Sequence, residues 1–229
     1  MVSLLIFSKD RACQLDLLLR SIERFLPNWF NINILYTTSN SDFQRGYDTL
    51  IQNNINMFFH KENNFYEDTC AIVSQNQDSH VCFSTDDMVV FSKPFSPQEE
   101  ILPKFDIEVF SLRLGLNTTT QDCHKNTKQM PLNLYVDKPN FIEWNTGLYL
   151  PYDNYGYPLA IDMHIFTYNF IVNAVSQFYF TSSNQLESQL QKFRSEILYM
   201  RSYKHSIAVN IPCNNMSECT IAGKIHPYD

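Results

Sequence analysis

Glycine is scarce in this chain, with only five glycines among 229 residues. Neither of the glycine-rich patterns that cradle phosphate groups, G-x-G-x-x-G and G-x-x-x-x-G-K-[ST], occurs anywhere in it. This absence argues against a P-loop nucleotide hydrolase and against a dinucleotide-binding enzyme of the usual kind. If phosphate groups are bound, other side chains or a metal ion must hold them.

Long apolar runs and excess positive charge are also missing. No stretch approaches the ~20 apolar residues that cross a bilayer, and the apolar start at 2–7 is cut short by Lys9, Asp10 and Arg11. The formal net charge of -7 disfavours non-specific binding to nucleic acid, which depends on basic patches. We therefore expect no transmembrane segment, no nucleic-acid partner and a cytoplasmic location, in the host cytoplasm if the protein is viral.

The six cysteines form no C-x-x-C pair and have no spacing typical of a zinc site. With no secretory signal, we expect reduced thiols rather than a disulfide framework. The cysteines are Cys13, Cys70, Cys82, Cys123, Cys213 and Cys219.

Short apolar runs alternate with amphipathic stretches in the first half of the chain. This alternation is typical of an α/β fold with a mainly parallel central sheet flanked by helices. The predicted strands are 2–7, 32–36, 55–59 and 80–83, and the predicted helices are 11–25, one beginning near Ser41 or Asp42, and 66–75.

The second half is less regular, and no linker separates it from the first. It contains predicted strands at 109–114 and 141–150, a polar loop at 117–139, helices at 162–176 and 185–195, and a short strand after residue 207.

Two adjacent carboxylates, Asp86 and Asp87, directly follow the predicted strand at 80–83. Two adjacent carboxylates repel each other, which raises the pKa of each. A divalent cation bound between them removes this repulsion. Carboxylate oxygens suit Mg²⁺ or Mn²⁺, and ligands of open α/β sheets bind at the carboxyl ends of strands. The alternative is a turn whose acids cap a helix.

Polar side chains also mark the exit from the first strand, at Ser8, Asp10 and Arg11. Backbone N–H groups and the helix dipole favour an anion at such a point, and Arg11 could add a bidentate phosphate contact. The alternative is an ordinary helix start capped by Ser8 or Asp10.

Several segments match one known pattern when they are taken together. The first strand ends in Ser-Lys-Asp-Arg. A second strand and its helix are matched by residues 35–40 and by Gly46-Tyr47. A D-x-D metal motif, in its x-D-D form, is matched by Thr85-Asp86-Asp87. The chain thus resembles family-2-like GT-A glycosyltransferases. Further blocks are similar to those of bacterial and viral glycosyltransferases, at 110–115, 144–145, 157–164, 186–187 and 209–212.

The resemblance implies a GT-A fold over one domain, residues 1–229, with a Rossmann-like nucleotide-sugar-binding half at 1–92 and an acceptor-binding half at 93–229. It implies that Asp87 binds the metal, while Asp86 faces the ribose or shares the metal.

The same resemblance implies the lining of the nucleotide pocket. Many relatives carry an acid at the end of strand two that grips the nucleoside, but here the nearest acid is Asp42, so the identity of the base stays open. The nucleotide-sugar site is expected to include Ser8, Asp10, Arg11, Ser39, Asp68 and Asp86.

Downstream, the resemblance implies that Asp162 is the general base and that His164 completes the metal shell. A base must reach the acceptor oxygen, while the metal neutralises charge on the departing diphosphate. The alternative is that Asp162 caps the predicted helix and His164 packs beside Tyr157. Other candidates are Glu187 or Asp153 for the base and His226 for the ligand.

Aromatic residues are abundant in the second half, where an acceptor would bind. Trp144, Tyr152, Tyr155 and Tyr157 could pack against sugar rings, although such clusters also form cores. Arg113 could contact a phosphate or the acceptor, or pair with an acid at the edge of its strand.

The resemblance implies transfer of a hexosyl or deoxyhexosyl group from a nucleotide-sugar donor to a hydroxyl of a glycan or other acceptor. The reaction would depend on Mn²⁺ or Mg²⁺ and would be inverting. One alternative is a nucleotidyltransferase, which would be expected to have the glycine-rich basic loop that is missing here. The other is a non-catalytic carbohydrate- or partner-binding protein, against which the intact Asp86 and Asp87 count.

Overall fold

The first strand, β1 (Val2–Lys9), is the centre of the architecture, and seven of its eight residues are buried. It pairs in parallel with β2 (Phe30–Thr37) on one side and with β4 (His80–Thr85) on the other, and β2 pairs in parallel with β3 (Phe58–Lys61). A strand buried on both faces of a sheet needs such a continuous apolar run. The computed structural model describes residues 1–75, 79–94, 98–121, 127–128, 133–211, 220–221 and 224–225.

The remaining elements follow in chain order. The helices are α1 (Ala12–Phe25), α2 (Ser41–Asn53), α3 (Phe65–Gln75), α4 (Gln98–Ile101), α5 (Tyr168–Val175) and α6 (Ser183–Leu190). The other strands are β5 (Met88–Val90), β6 (Glu108–Ser111), β7 (Thr120–Gln121), β8 (Thr127–Lys128), β9 (Val136–Asp137), β10 (Ile142–Asn145), β11 (His164–Thr167), β12 (Tyr199–Ser202), β13 (Ala208–Asn210), β14 (Thr220–Ile221) and β15 (Lys224–Ile225).

A nine-stranded sheet in the order β3-β2-β1-β4-β11-β6-β12-β10-β9 joins both halves of the chain. Strand β11 runs antiparallel to β4 and to β6, whereas β6 and β12 are parallel. The predicted α/β architecture is confirmed, with its uninterrupted parallel part formed by β3, β2, β1 and β4. Because β11 enters beside the carboxyl end of β4, it brings residues of the second half to that edge.

Helices cover both faces of the sheet. One core contains Leu15 and Leu18 of α1 together with Tyr47 and Leu50 of α2. The other contains residues of α3, α5 and α6, packed against alternate residues of the same strands. Alternate side chains of a strand point to opposite faces, so the central strands β1, β2, β4, β6 and β11 contribute to both cores.

The predicted helix at 162–176 is wrong at its beginning. Residues His164–Thr167 form β11, and helix α5 starts only at Tyr168, capped by the hydroxyl of Thr167. Strand β11 is only four residues long, with Ile165 and Phe166 as its apolar residues, so its pattern does not distinguish strand from helix. Hydrogen bonding to β4 and β6 selects the strand.

Other boundaries moved for similar reasons. The third strand lies at 58–61 rather than 55–59, whereas α2 begins at Ser41 as predicted, with Asn40 as its cap. The strand expected at 141–150 ends at Asn145, where a short 3₁₀ helix begins. Strand β12 was not predicted, because it contains the charged Arg201, whose partly buried side chain is paired with Glu108 and Glu143 from distant segments.

In the described parts of the chain, no helix has the length and apolar character needed to cross a membrane. Cys13, Cys70 and Cys82 are free thiols. The other three cysteines, and His226, lie outside the described residues.

Gly46 allows α1 and α2 to pack closely. A Cβ atom at this position would lie 2.8 Å from the Cβ of Ala12, which is closer than real Cβ atoms approach. The close contact matters for the site described below, because the next residue, Tyr47, reaches from α2 to the exit of β1.

We expect Gly46→Ala to lower the free energy of unfolding by about 1–3 kcal/mol, the usual cost of overpacking a core, despite the better helix propensity of alanine. Urea unfolding measures the change. Thr49→Ala, on the exposed side of the same helix, is the matched control and should leave stability nearly unchanged. A Gly46→Ala protein as stable as the wild type would show that α1 and α2 can move apart to accommodate the methyl group at no cost in the free energy of unfolding.

Candidate active site

The carboxyl ends of β1, β2 and β4 meet at one edge of the sheet. Register places Phe7 opposite Thr85 and Lys9 opposite Thr37, so the segments that follow these strands are neighbours. Because β11 is antiparallel to β4, residues just before His164 arrive at the same edge. The predicted residues of the x-D-D element, the β1 exit and Asp162 therefore lie together.

Asp86 is buried, with 4% of its surface exposed, and both carboxylate oxygens have partners. Oδ1 accepts from Nη1 of Arg11 at 2.9 Å, and Oδ2 accepts from the hydroxyl of Ser8 at 2.8 Å. Burial raises the pKa of Asp86 to about 6, and the positive charge of Arg11 opposes that rise. Arg11 and Ser8 thus compensate the cost of burying this carboxylate.

Tyr47 extends this network into α2. Its hydroxyl lies 2.6 Å from Oγ of Ser8 and accepts from the backbone N–H of Arg11 at 3.2 Å. Since Ser8 gives its hydrogen to Asp86, the Tyr47 hydroxyl must be the donor to Ser8. The chain of hydrogen bonds Tyr47–Ser8–Asp86 therefore has a defined direction.

Asp87 is held from two other segments. Its Oδ1 accepts from the Thr85 hydroxyl at 2.6 Å and from Nδ2 of Asn210 at 3.3 Å, while Oδ2 lies 3.6 Å from Nη1 of Arg11. The backbone oxygen of Asp87 accepts from the N–H of Ile211 at 2.8 Å. Strand β13 thus fixes Asp87 with Oδ2 directed towards the guanidinium.

Asp162 belongs to the same cluster. Its Oδ1 lies 3.4 Å from the Thr85 hydroxyl, and its Oδ2 lies 4.0 Å from Nε of Arg113. Both Nη atoms of Arg113 donate to Oδ1 of Asn154 at 3.3 Å. Burial raises the pKa of Asp162, and the charge of Arg113 opposes the rise. The alternative of a helix cap is excluded, because Thr167 caps α5.

Glu187, an alternative base, approaches the cluster from α6. Burial and the negative charge of Asp162 raise the pKa of Glu187, while Arg113 lowers it. Its carboxylate accepts from the backbone N–H of Ile161. Asp153, the other alternative, is buried, with 5% of its surface exposed, beside the Arg113 partner Asn154.

Asp10 and Ser39 connect the exits of β1 and β2. The Asp10 carboxylate accepts from the backbone N–H of Ser39 at 2.7 Å and from its hydroxyl. Asp10 has a φ of 57°, and Met163, beside Asp162, has a φ of 56°. Non-glycine residues in this left-handed region cost energy, and such strain clusters at functional sites. Both strained residues of the described chain flank this site.

Asp68 lies apart from the paired acids. Its Oδ2 accepts from the backbone N–H groups of Asn63 and Asn64 at 2.7 and 2.9 Å, which stabilises the start of α3. Burial, with a further contribution from the charge of Asp68, raises the pKa of the nearby Glu62. These acids lie beyond the carboxyl end of β3, so Asp68 stays a candidate for contact with the nucleoside.

The predicted aromatic residues have different environments. Trp144 and Tyr155 are buried core residues in edge-to-face contact, with ring centroids 5.5 Å apart. Tyr152 is 57% exposed, and Tyr157 is partly buried. Of these four, Tyr152 is the one that presents most of its ring to solvent.

Tyr47, Thr85 and Asn210 were given no role from the sequence, although each lies in a segment that carries the resemblance. The partners of Tyr47 and Asn210 are distant along the chain, and no local pattern identifies a tyrosine or an asparagine as part of a site. Only the packing of α2 and the pairing of β13 with β5 bring them to it.

The residues at this edge fit a divalent cation. Acidic side chains outnumber arginines there: Asp10, Asp86, Asp87 and Asp162 stand against Arg11 and Arg113, without counting Glu187, whose pKa is raised to about 8 by burial. An anionic diphosphate would be repelled by this charge unless a cation accompanied it. In the described residues, no three His, Cys, Asp or Glu side chains converge on a common metal position. Mg²⁺ is often held by one or two carboxylates plus phosphate oxygens, which is the arrangement Asp86 and Asp87 offer.

His164, the second predicted metal ligand, is fully buried in β11. Its Nδ1 donates to the carbonyl of Pro158 at 2.9 Å, and Nε2 has no hydrogen-bond partner in the described part of the chain. Burial lowers the pKa of His164 to about 3. A neutral imidazole could bind a metal, so its assignment as a ligand stays a prediction.

The buried imidazole makes stability depend on pH. The folded protein keeps His164 neutral down to about pH 3, whereas the unfolded chain takes up a proton below about pH 6.5. The unfolded state binds more protons in this window, so the free energy of unfolding falls as pH falls, by up to about 1.4 kcal/mol per pH unit from this group.

We expect His164→Asn, which can still donate to Pro158, to flatten the pH dependence of urea unfolding between pH 6 and 4. His205→Asn, at an exposed histidine, should leave the slope as in the wild type. Equal slopes for all three proteins would mean that His164 is protonated in the folded state.

Comparison with known proteins places this edge in context. No protein-family model matches the chain. Over 201 residues the chain is 28% identical to the bifunctional glycosyltransferase pgtA of Dictyostelium discoideum. The match covers 78% of this chain but only 26% of pgtA. The chain thus spans about a quarter of the length of this relative.

Solved structures give the fold. Residues 1–349 of S. aureus TarS superpose with a TM-score of 0.57 at 13% identity, covering 92% of this chain and 60% of that one. The same TarS fragment in complex with UDP-GlcNAc gives a TM-score of 0.52 at 13% identity, covering 89% and 59%. The fold is of the GT-A glycosyltransferase type. The predicted fold is thereby confirmed, and the pgtA match adds sequence similarity to a glycosyltransferase.

Proposed function

We propose that this chain is a glycosyltransferase that moves a sugar from a nucleoside diphosphate donor to a hydroxyl group of an acceptor. The observation that carries the proposal is that Asp87 and Asp162 both lie at the Thr85 hydroxyl, next to the buried Asp86–Arg11 pair, at the carboxyl edge of the parallel strands. The fold of TarS and the sequence similarity to pgtA support the same reaction class.

The proposed chemistry is a single displacement. The acceptor oxygen forms a bond to the anomeric carbon, the bond from that carbon to the diphosphate breaks, and the acceptor proton passes to Asp162. Attack opposite the leaving group inverts the anomeric centre, as the likeness to family 2 implies. A raised pKa suits Asp162 to accept a proton near neutral pH.

Asp162 is preferred to Glu187 as the base because of its position. It shares the Thr85 hydroxyl with Asp87, so it lies next to the proposed place of the diphosphate. Arg113 and Asn154 orient it from the opposite side. Glu187 is instead tied to the backbone of Ile161, one residue away from Asp162.

Asp87 and Asp86 are the proposed ligands of Mn²⁺ or Mg²⁺. The cation would supply positive charge to the departing diphosphate, where negative charge accumulates during the reaction. A uridine nucleotide is the first donor to test, because TarS has been solved with UDP-GlcNAc and with UDP. Hexosyl and deoxyhexosyl groups are the proposed cargo, and a glycan or another hydroxyl compound is the proposed acceptor.

The metal site is tested by Asp87→Asn, which removes the charge but keeps an oxygen for Thr85 and Asn210. UDP with Mn²⁺ should stabilise the wild type, by about 2.7 kcal/mol at a ligand concentration one hundred times Kd, and the Mn²⁺-dependent part should vanish in the variant. Thermal-shift titrations with UDP and GDP measure it. Asp42→Asn, at an exposed acid paired with Arg45, is the matched control. An unchanged Mn²⁺ dependence in Asp87→Asn would remove Asp87 from the ligand set.

The base is tested by Asp162→Asn. We expect sugar transfer to fall by roughly 10²–10⁴-fold, the usual contribution of a general base, while UDP binding stays near wild type. Release of UDP and of transferred sugar is measured, with pyrophosphate as the product that a nucleotidyltransferase would give instead. Asp153→Asn, at the other alternative base, should leave transfer near wild type, and Asp48→Asn, at an exposed acid of α2, is the control. Near-normal turnover in Asp162→Asn together with a large loss in Glu187→Gln would move the base to α6.

A further inference from the structure

Arg11 pairs with both of the adjacent acids that are the proposed metal ligands. Its side chain is 10% exposed, and Nη1 lies 2.9 Å from Oδ1 of Asp86 and 3.6 Å from Oδ2 of Asp87. By contrast, the Arg45–Asp42 pair has side chains more than 70% exposed. A buried guanidinium between two adjacent carboxylates carries an electrostatic weight that surface pairs lack.

The two oxygens that face Arg11 are also the ones available to a metal. Oδ2 of Asp86 is taken by Ser8, and Oδ1 of Asp87 is taken by Thr85 and Asn210. A cation bound to both acids would therefore compete with the guanidinium for the same pair of oxygens.

We propose that Arg11 is an internal counter-ion that holds the cation position between Asp86 and Asp87 until a nucleoside diphosphate arrives, so that the metal binds with the diphosphate rather than before it. This inference rests on the proposed function. A divalent cation alone would have to displace the guanidinium and leave two positive groups side by side. A diphosphate removes that conflict, because its oxygens accept both the cation and the guanidinium.

The arrangement lets the guanidinium leave without loosening the site. The backbone of Arg11 is fixed by the Tyr47 hydroxyl and by the start of α1, so only the side chain needs to rotate. Asp86 keeps Ser8 as a partner, and Asp87 keeps Thr85 and Asn210. Both carboxylates therefore stay in place during the exchange of one cation for the other.

The proposal has a thermodynamic consequence that does not involve catalysis. If UDP removes the competition from Arg11, UDP must raise the affinity for Mn²⁺, and Mn²⁺ must raise the affinity for UDP by the same factor. Removing the guanidinium should weaken this coupling, since the metal then has no competitor. The affinity for Mn²⁺ alone should rise, whereas the affinity for UDP should fall.

The experiment measures Mn²⁺ binding by the electron paramagnetic resonance signal of free Mn²⁺, with and without UDP. Arg11→Met removes the charge and keeps an apolar stem of similar reach. Lys9→Met removes the same charge from an exposed residue two positions earlier and is the matched control. We expect Arg11→Met to bind Mn²⁺ without UDP at least about tenfold more tightly than the wild type and Lys9→Met, a difference of about 1.4 kcal/mol.

Two further variants make the result specific. Arg11→Met combined with Asp87→Asn should lose the gain in affinity, because the gained site contains Asp87. Arg11→Lys keeps a charge but not the fork that faces both acids, and its affinity for Mn²⁺ alone should lie between those of the wild type and Arg11→Met. This variant also serves if Arg11→Met does not fold.

The outcomes separate the inference from the function on which it rests. If the wild type binds Mn²⁺ tightly with UDP but the Arg11 variants gain no affinity without UDP, the counter-ion role is overturned and the metal site stands. If UDP binds the wild type but leaves its Mn²⁺ affinity unchanged, the counter-ion role is also overturned. If UDP does not bind the wild type while Arg11→Met gains a Mn²⁺ site that needs Asp87, the counter-ion role holds and the proposed donor fails.

Discussion

The buried carboxylate of Asp86 is the constraint on which the rest of the site depends. A charge at 4% exposure is tolerated only if it is paired and hydrogen-bonded, and its partners come from the exit of β1. Tyr47 then links those partners to α2, whose close approach to α1 requires Gly46. The position of the Asp86 carboxylate therefore depends on the close packing of α2 against α1.

A second set of contacts joins the halves of the chain. Thr85 lies between Asp87 and Asp162, and Asn210 of β13 reaches Asp87. These contacts exist because β11 runs antiparallel beside β4 and because β13 pairs with β5. The proposed donor site and the proposed base thus share one small network, which suits a reaction in which the leaving diphosphate and the attacking oxygen lie on opposite sides of one carbon.

Acids outnumber arginines at this edge, which agrees with the proposal that a cation accompanies the diphosphate. Acids surround Arg11 and Arg113, and each arginine already faces one or more carboxylates. The backbone-strained residues Asp10 and Met163 flank these acids. Away from this edge, apolar cores lie on both faces of the sheet.

The sequence by itself determined the parallel half of the sheet, the paired acids and the strand-one exit, because periodicity and strand ends are local properties of the chain. Tertiary structure alone decided that 164–167 is a strand, that Arg11 faces Asp86, and that Tyr47 and Asn210 belong to the site. Each of these depends on a partner far away in the chain. An apolar run becomes strand or helix according to which neighbour can satisfy its backbone hydrogen bonds, and a buried charge is stable only beside its counter-charge.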